Sequence, residues 1–198
     1  MANHSITLVI PTISRPTLAR TLWSVRRQRW TSDDRIILLG DGPQPAAEDL
    51  FRQFRFHGQY IEMPKTVPSD WGHTPRNAIF EKRIIKTTHC MALDDDDQMT
   101  ENALQIVRSA IVQHPDRPHL FRQNGCPITG QVWKVKEICL GNVGTPMFVH
   151  PNVPEKIARY TPVYGGDYEF IRDTCAFYPD GPVWHEDVIT RIRPVKSV

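Results

Sequence analysis

The chain has no apolar run longer than roughly five residues, far short of the ~20 needed to span a bilayer, so no membrane span is expected. No basic segment followed by a long apolar stretch opens it, so no secretory leader is expected either. Cysteine is scarce. Its four residues, Cys90, Cys126, Cys139 and Cys175, form no C-x-x-C pair and match no zinc spacing. They read as small hydrophobes in a reducing compartment, which points to a cytoplasmic protein. Neither sign of charge dominates. The net charge of +2 is too small to argue for nucleic acid or a membrane surface, and no nucleic-acid partner is expected. Internal repeats, low-complexity segments and the Walker loop are absent. The first strand is followed by no G-x-G-x-x-G, which disfavours a dinucleotide-binding fold.

What remains is an ordinary globular composition. The 198 residues are 40% hydrophobic and 23% charged, enough for one domain with a real core. The 17 prolines imply many loops and extended connections.

Hydrophobic periodicity predicts the elements. Ser5 to Ile10 reads as a buried strand ended by Pro11. Pro16 to Gln28 reads as a helix, with Leu18, Leu22 and Val25 on one face. Arg35 to Leu39 is a strand closed by Gly40-Asp41-Gly42-Pro43, then a helix over Ala46 to Phe56 and a strand over Gln59 to Met63. Thr74-Pro75 is expected to open a helix to about Lys86, and His89 to Leu93 to form a short strand. Thr100 is expected to cap a helix running to His114. Strand and helix thus alternate through residue 114, which implies a central, mostly parallel sheet flanked by helices. Beyond it, Gln131 to Leu140, Pro146 to His150 and Val188 to Ile192 read as strands, and Asp167 to Ala176 as a helix.

Asp94-Asp95-Asp96-Asp97 is the most informative feature. An aspartate run is usually a solvated loop. This one directly follows Cys90-Met91-Ala92-Leu93 and precedes a helix. In an open parallel sheet, ligands bind beyond the carboxyl ends of the strands. Carboxylates crowded there repel unless a cation compensates, and hard oxygen ligands favour Mg²⁺ or Mn²⁺, which in turn hold phosphate oxygens. Asp41 ends the second strand, where a carboxylate can accept from a base or ribose or simply organise a turn.

The ordered set I-P-T-x-x-R-P, L-L-G-D-G, G-H-T-P-R-N-A and A-L-D-D-D-D resembles a family 2 glycosyltransferase of the GT-A fold. The later Gly165-Gly166-Asp167-Tyr168-Glu169-Phe170 is similar to that family's Glu-Asp-Tyr-Asp-Leu box, with Gly166 where Glu is usual. The resemblance covers residues 6 to 190 and implies an α/β, Rossmann-type sandwich. It implies one domain over 1–198, with a nucleotide-sugar-binding half to residue 114 and an acceptor half over 115–198.

The implied activity is metal-dependent, inverting transfer of a sugar from a nucleotide-diphosphate donor, UDP-linked by expectation, to an acceptor hydroxyl. The implied nucleotide-binding residues are Pro11, Thr12, Arg15, Asp41, Arg76, Asp94 and Asp95. Asp96 and His185 are the implied ligands of Mn²⁺ or Mg²⁺, and Asp167 the implied catalytic base. Asp94-x-Asp96 and Asp95-x-Asp97 both fit the Asp-x-Asp motif. Trp71, Trp133 and Trp184 are candidates for stacking on sugar rings, and His150 and the stretch Gly141 to Phe148 for bordering the acceptor. A sugar-nucleotide nucleotidyltransferase and a non-catalytic nucleotide- or sugar-binding domain are the alternatives. The first of these would ordinarily carry a Gly-rich loop where Thr12 to Pro16 stand.

Overall fold

The computed structural model describes residues 4–67, 70–126 and 130–192, and no side chain at 126, 130 or 131. Met1 to Asn3, which entered the expectation of no leader, and the Cys126 side chain lie outside it.

Strand β1 (Ile6–Thr12) is the spine of the fold and is buried along its whole length. Its burial is continuous, as in a strand covered on both faces. β1 pairs in parallel with β2 (Arg35–Asp41) and β4 (His89–Ala92), and β2 pairs in parallel with β3 (Gly58–Met63). Pro11 does not end β1. It lies two residues past the last β1–β4 pair, Val9–Ala92, and keeps its place opposite Leu39 of β2.

The second half adds β5 (Gln98–Met99), β6 (His119–Cys126), β7 (Gly130–Val132), β8 (Phe148–Pro151) and β9 (Val183–Arg191). The sheet order is β3-β2-β1-β4-β8-β6-β9-β5, with β7 on β6. The parallel arrangement expected from the first 114 residues holds there. Antiparallel ladders enter with β8, and β6 returns to the direction of β4.

Helices cover both faces. α1 (Leu18–Arg26), α2 (Pro45–Phe54) and α4 (Ala103–Gln113) share one core with Ile6, Leu8 and Ile10 of β1. Leu18, Leu22 and Val25 are its α1 members, as their helical spacing predicts. α3 (His73–Glu81) packs on the opposite face against Val9, Ile37 and Leu39. There its Phe80 stacks on Phe170 of α5 (Gly166–Cys175), with ring centroids 6.1 Å apart.

Several boundaries differ from expectation for identifiable reasons. Thr74 does not cap α3. The helix opens at Gly72, in the left-handed region at φ 76°, and Asp70 accepts the Thr74 amide at 3.0 Å. Thr100 does not cap α4 through its side chain. Its hydroxyl donates instead to the Val188 carbonyl at 2.7 Å, and Asn102 is the helix cap. The strand expected over Gln131 to Leu140 stops at Val132, and a 3₁₀ turn over Thr145–Met147 replaces the start of the strand expected at Pro146. Cys90 and Cys175 are buried and free, as small hydrophobes should be.

Candidate active site

The first, second and fourth strands end at one edge of the sheet, and their parallel order brings three distant motifs together there. An open cleft of about 320 Å³ is lined by Pro11, Thr12, Ile13 and Arg15 after β1, Asp41 after β2, and Asp94 to Asp96 after β4. Lys65, Thr66, Val67, Trp71 and Gly72 close its far wall. Of the residues expected to bind nucleotide, six line this cleft: Pro11, Thr12, Arg15, Asp41, Asp94 and Asp95.

The four aspartates do not crowd one point. Each meets a protein group, and Arg15 serves both Asp95 and Asp96. Asp94 forms an ion pair with Arg76. Asp95 is buried and accepts from the Thr12 hydroxyl at 2.8 Å. Asp96 accepts from Arg15 Nη1 at 2.7 Å. Asp97 is buried as well and accepts from the Gln123 side-chain amide at 3.0 Å. Burial raises the pKa of the Asp95 carboxyl, and the bond from Thr12 and the charge of Arg15 work against that rise. Repulsion within the tetrad is therefore relieved by protein groups, which removes the argument that a cation is required to balance it. Among the described residues, no three or more His, Cys, Asp or Glu side chains are placed to hold a metal on their own.

Arg76 is fully buried and meets the cleft only through its partners. Its guanidinium donates to the Trp71 carbonyl at 3.1 Å, pairs with Asp94 and sits 5.6 Å from the centre of the Tyr160 ring. Burial pushes its pKa down, and the Asp94 and Tyr160 oxygens raise it beyond its ordinary value. Gly72 makes this approach feasible: a Cβ there would lie 3.2 Å from Arg76 Nη1 and 3.2 Å from Pro11. Arg76 is thus ion-paired to Asp94 and does not itself line the cleft. Asp41 lines the cleft, yet both its carboxylate oxygens are engaged by Thr66, from the amide at 2.7 Å and the hydroxyl at 2.9 Å.

Asp167 stands in the first turn of α5. Its Oδ2 would lie 3.3 Å from a Cβ built on Gly144, and the same point is 3.9 Å from Gln123 Oε1. Gln123, whose amide donates to Asp97, thus borders Gly144 as Asp167 does. His73 is nearby. Burial and the Arg76 charge lower its pKa, and the Asp167 carboxylate offsets part of that fall. Gly166 is explained by the same packing, because a Cβ there would meet the Thr161 carbonyl oxygen at 1.9 Å and His73 Cε1 at 2.8 Å. No Glu can occupy that position in this backbone.

His185 is not brought to the tetrad. Its Nε2 lies 3.0 Å from His119 Nδ1, and its ring stacks on Phe121 with centroids 4.4 Å apart. Trp133 is buried beneath Arg122 and edge-on to the half-buried Trp184, and neither ring lines the cleft. Trp71 is different. It is 54% exposed on the cleft wall, with Tyr164, 79% exposed, edge-on at 6.2 Å. His150 is buried among Phe80, Phe148 and Phe170 and does not border the cleft. Lys65, Thr66 and Gln123 carry no motif, and their part in the site is visible only in three dimensions.

Solved structures share this architecture. The S. aureus TarS fragment 1–349 superposes with a TM-score of 0.76 at 14% identity, over 95% of this chain and 60% of that one. Its complex with UDP-GlcNAc gives 0.73 at 12% identity, over 98% and 60%. The mannosyltransferase PcManGT from Pyrobaculum calidifontis, in complex with GDP-Man and Mn²⁺, gives 0.69 at 10% identity, over 97% and 57%. The chain has the GT-A glycosyltransferase fold. It spans about three fifths of the length of these structures. No protein-family model matches the chain, and no curated protein matches it in sequence. Among the described residues, no helix of this GT-A chain is long and apolar enough to cross a membrane.

Proposed function

We propose that this chain is a metal-dependent, inverting glycosyltransferase that moves a sugar from a nucleoside-diphosphate donor, UDP-linked in our reading, to an acceptor hydroxyl. One observation carries the reading. In a GT-A sheet, Thr12, Arg15, Asp41 and Asp94 to Asp96 meet in one cleft, and Asp167 stands in the first turn of α5, near enough to Arg76, the partner of Asp94, for their charges to interact. Complexes of the similar structures hold UDP-GlcNAc or GDP-Man, which supports a nucleotide-sugar donor here.

In this reading, residues 1–114 hold the donor and 115–198 the acceptor. The nucleoside lies along Pro11, Thr12 and Asp41, with the diphosphate toward Arg15 and Lys65. Asp96 is the carboxylate suited to a divalent ion. One carboxylate plus diphosphate oxygens and water is a donor set that Mg²⁺ or Mn²⁺ accepts, and Mn²⁺ accompanies GDP-Man in PcManGT. The bound ion supplies charge neutralisation of the departing diphosphate. Arg15 is placed to add to it, since negative charge develops there as the bond to the sugar breaks.

Asp167 takes the proton of the acceptor hydroxyl as that oxygen attacks the anomeric carbon. A single displacement of this kind inverts the centre and needs no covalent intermediate. Arg76 holds Asp94 in place at the cleft through their ion pair. Trp71 and Tyr164 offer aromatic faces at the mouth, where the apolar face of a sugar ring can rest.

The test is a thermal-shift titration of UDP and GDP, each with Mn²⁺ and with EDTA, followed by donor hydrolysis. A ligand of the folded state raises the midpoint with its concentration over its Kd. The expected result is a Mn²⁺-dependent shift and release of nucleoside diphosphate. Release of pyrophosphate would replace the reading with nucleotidyl transfer, and binding without turnover would leave a non-catalytic domain.

A further inference from the structure

His73, Arg76 and Asn77 stand three and four residues apart in α3, so they share one face of that helix. Arg76 pairs with Asp94 at the donor cleft. The other two meet Tyr160. The Asn77 side chain donates to the Tyr160 carbonyl and accepts from the Tyr160 amide, both at 2.8 Å. The His73 ring stacks on the Tyr160 ring, with centroids 5.4 Å apart and planes 16° from parallel. Tyr160 is thus fixed to α3 by its backbone and by its ring at once.

Tyr160 is fixed to α5 as well. Gly166, Phe170 and Thr174 recur every four residues along that helix and form one buried stripe. Residues 158–161 meet this stripe at each turn. The Ala158 amide donates to the Thr174 hydroxyl at 3.1 Å. The Tyr160 ring stacks on Phe170 with centroids 3.8 Å apart and planes 11° from parallel. The Thr161 carbonyl lies against Gly166 and leaves no room for a Cβ. Asp167 follows Gly166 directly. Residues 158–161 therefore form a strap between the two helices, tied to α3 beside Arg76 and to α5 up to the residue before Asp167.

Tyr160 itself is only 4% exposed and does not line the cleft. Burial pushes its hydroxyl up, so it stays a protonated phenol at neutral pH. Burial likewise pulls His73 down and leaves a neutral ring. What these two groups can supply is placement. A carboxylate that must meet one hydroxyl proton tolerates little displacement, since an error of ~1 Å can cost on the order of 10²-fold in rate.

We infer that Tyr160 is a positioning residue: through the strap it holds the first turn of α5, and with it Asp167, in fixed relation to the Arg76–Asp94 pair of the donor side. Its effect on rate rests on the glycosyltransferase reading, and its effect on α5 rests on the contacts alone.

The test compares four variants at a temperature well below their unfolding midpoints. Tyr160→Leu removes the ring, Asn77→Ala the two bonds to its backbone, and Tyr160→Phe only the hydroxyl. Phe51→Leu, buried in the core shared by α1, α2 and α4, controls for lost aromatic packing. Turnover is hydrolysis of UDP-GlcNAc or of GDP-Man, whichever the protein cleaves, with water as the acceptor. Tyr160→Leu and Asn77→Ala should lower kcat about tenfold or more and leave the donor KM within about twofold. Tyr160→Phe and Phe51→Leu should keep kcat within about twofold of wild type. Amide exchange reads the same lock without turnover. The Glu169 amide, bonded to the Gly165 carbonyl in the first turn of α5, should exchange faster in Tyr160→Leu and Asn77→Ala but not in Phe51→Leu. If Tyr160→Leu does not fold, Asn77→Ala carries the same outcomes. A wild-type kcat in Tyr160→Leu and Asn77→Ala, a loss in Tyr160→Phe as deep as in Tyr160→Leu, or unchanged exchange at Glu169 would each overturn the inference. A wild-type protein that cleaves neither donor, with faster exchange in the two variants, would instead support the strap and sink the glycosyltransferase reading.

Discussion

Arg15 Nη1 lies 2.7 Å from Asp96 Oδ2, and 3.5 Å from Asp95 Oδ1, across the mouth of the donor cleft. The oxygen proposed to meet a divalent ion is thus already partnered by a guanidinium. A metal and Arg15 share the carboxylate in opposition, whereas both attract a diphosphate. Arg15→Ala should therefore strengthen binding of Mn²⁺ alone and weaken binding of UDP. Asp96→Asn should weaken both. Calorimetry of each ligand on each variant reads the signs, and a loss of Mn²⁺ affinity in Arg15→Ala would count against a metal at Asp96.

The parts of this arrangement were unequally legible in the sequence. β1 and α1 were readable because each buries an uninterrupted pattern, Ile6 to Thr12 on both faces and Leu18, Leu22 and Val25 on one. β6 was not, since His119-Leu120-Phe121-Arg122-Gln123 mixes polar residues into a core strand. Those polar groups are tolerated only through remote partners: Asp97 for Gln123, the His114 carbonyl for His119, and Glu186 for Arg122. β9 begins at Val183, earlier than its apolar residues suggest, because its pairing with β6 shifts register twice. The clustering of Pro11, Thr12, Arg15, Asp41 and Asp94 to Asp96 was legible because parallel strands end together. The inward turn of Arg76 was not, because a helix's first turn looks alike whether it faces water or a buried carboxylate.

Gly166 carries a stability prediction. Its Cα has no room for a side chain, with the Thr161 carbonyl 1.9 Å from the place a Cβ would take. That neighbour is backbone and cannot rotate away. Gly166→Ala should cost at least about 1–3 kcal/mol, the usual scale for overpacking. Gly166→Glu, which restores the more usual family box, should be worse rather than better. Chemical denaturation of the alanine variant checks the size. A midpoint equal to wild type would mean that the Thr161 segment is elsewhere.

Buried histidines set the acid limb of stability. Burial pushes His150 and His89 down to about 4 and His119 down to about 3. Their folded values thus lie below the ordinary ~6.5 of an unfolded histidine. Between these values the unfolded chain binds more protons than the folded one, so stability rises with pH through this window. It should be nearly flat in these groups above pH ~7 and fall as the pH drops from ~6.5 toward ~5, before carboxylates titrate. His150 lies 5.3 Å from Phe148 and 5.7 Å from Phe170. His150→Phe should therefore flatten this fall, whatever it does to the stability at pH 7. Urea midpoints at several pH values give the slope, and an unchanged slope would remove His150 from the account.

Asp167 and Asp96 should fail in different ways. Asp167 lies beside Gly144, and its Oδ1 is held by the Tyr168 amide at 2.9 Å. That bond orients the carboxylate, and Asn can accept the same bond through its side-chain oxygen. Asn has nearly the shape of Asp but takes no proton near neutral pH. If Asp167 removes the acceptor proton, Asp167→Asn should slow transfer by about 10²–10⁴-fold. The affinity for UDP with Mn²⁺ should barely move, because Asp167 is not among the residues lining the donor cleft. Gln123→Leu offers a graded companion. It removes the hydrogen bond that the Gln123 amide donates to buried Asp97. It should lower stability by about 1–3 kcal/mol and slow transfer less than Asp167→Asn does. Donor affinity, single-turnover transfer rate and unfolding midpoint, measured on all three variants, separate these roles. Full transfer activity in Asp167→Asn would move the base elsewhere, with Glu169, Glu186 and Asp187 the next carboxylates to test.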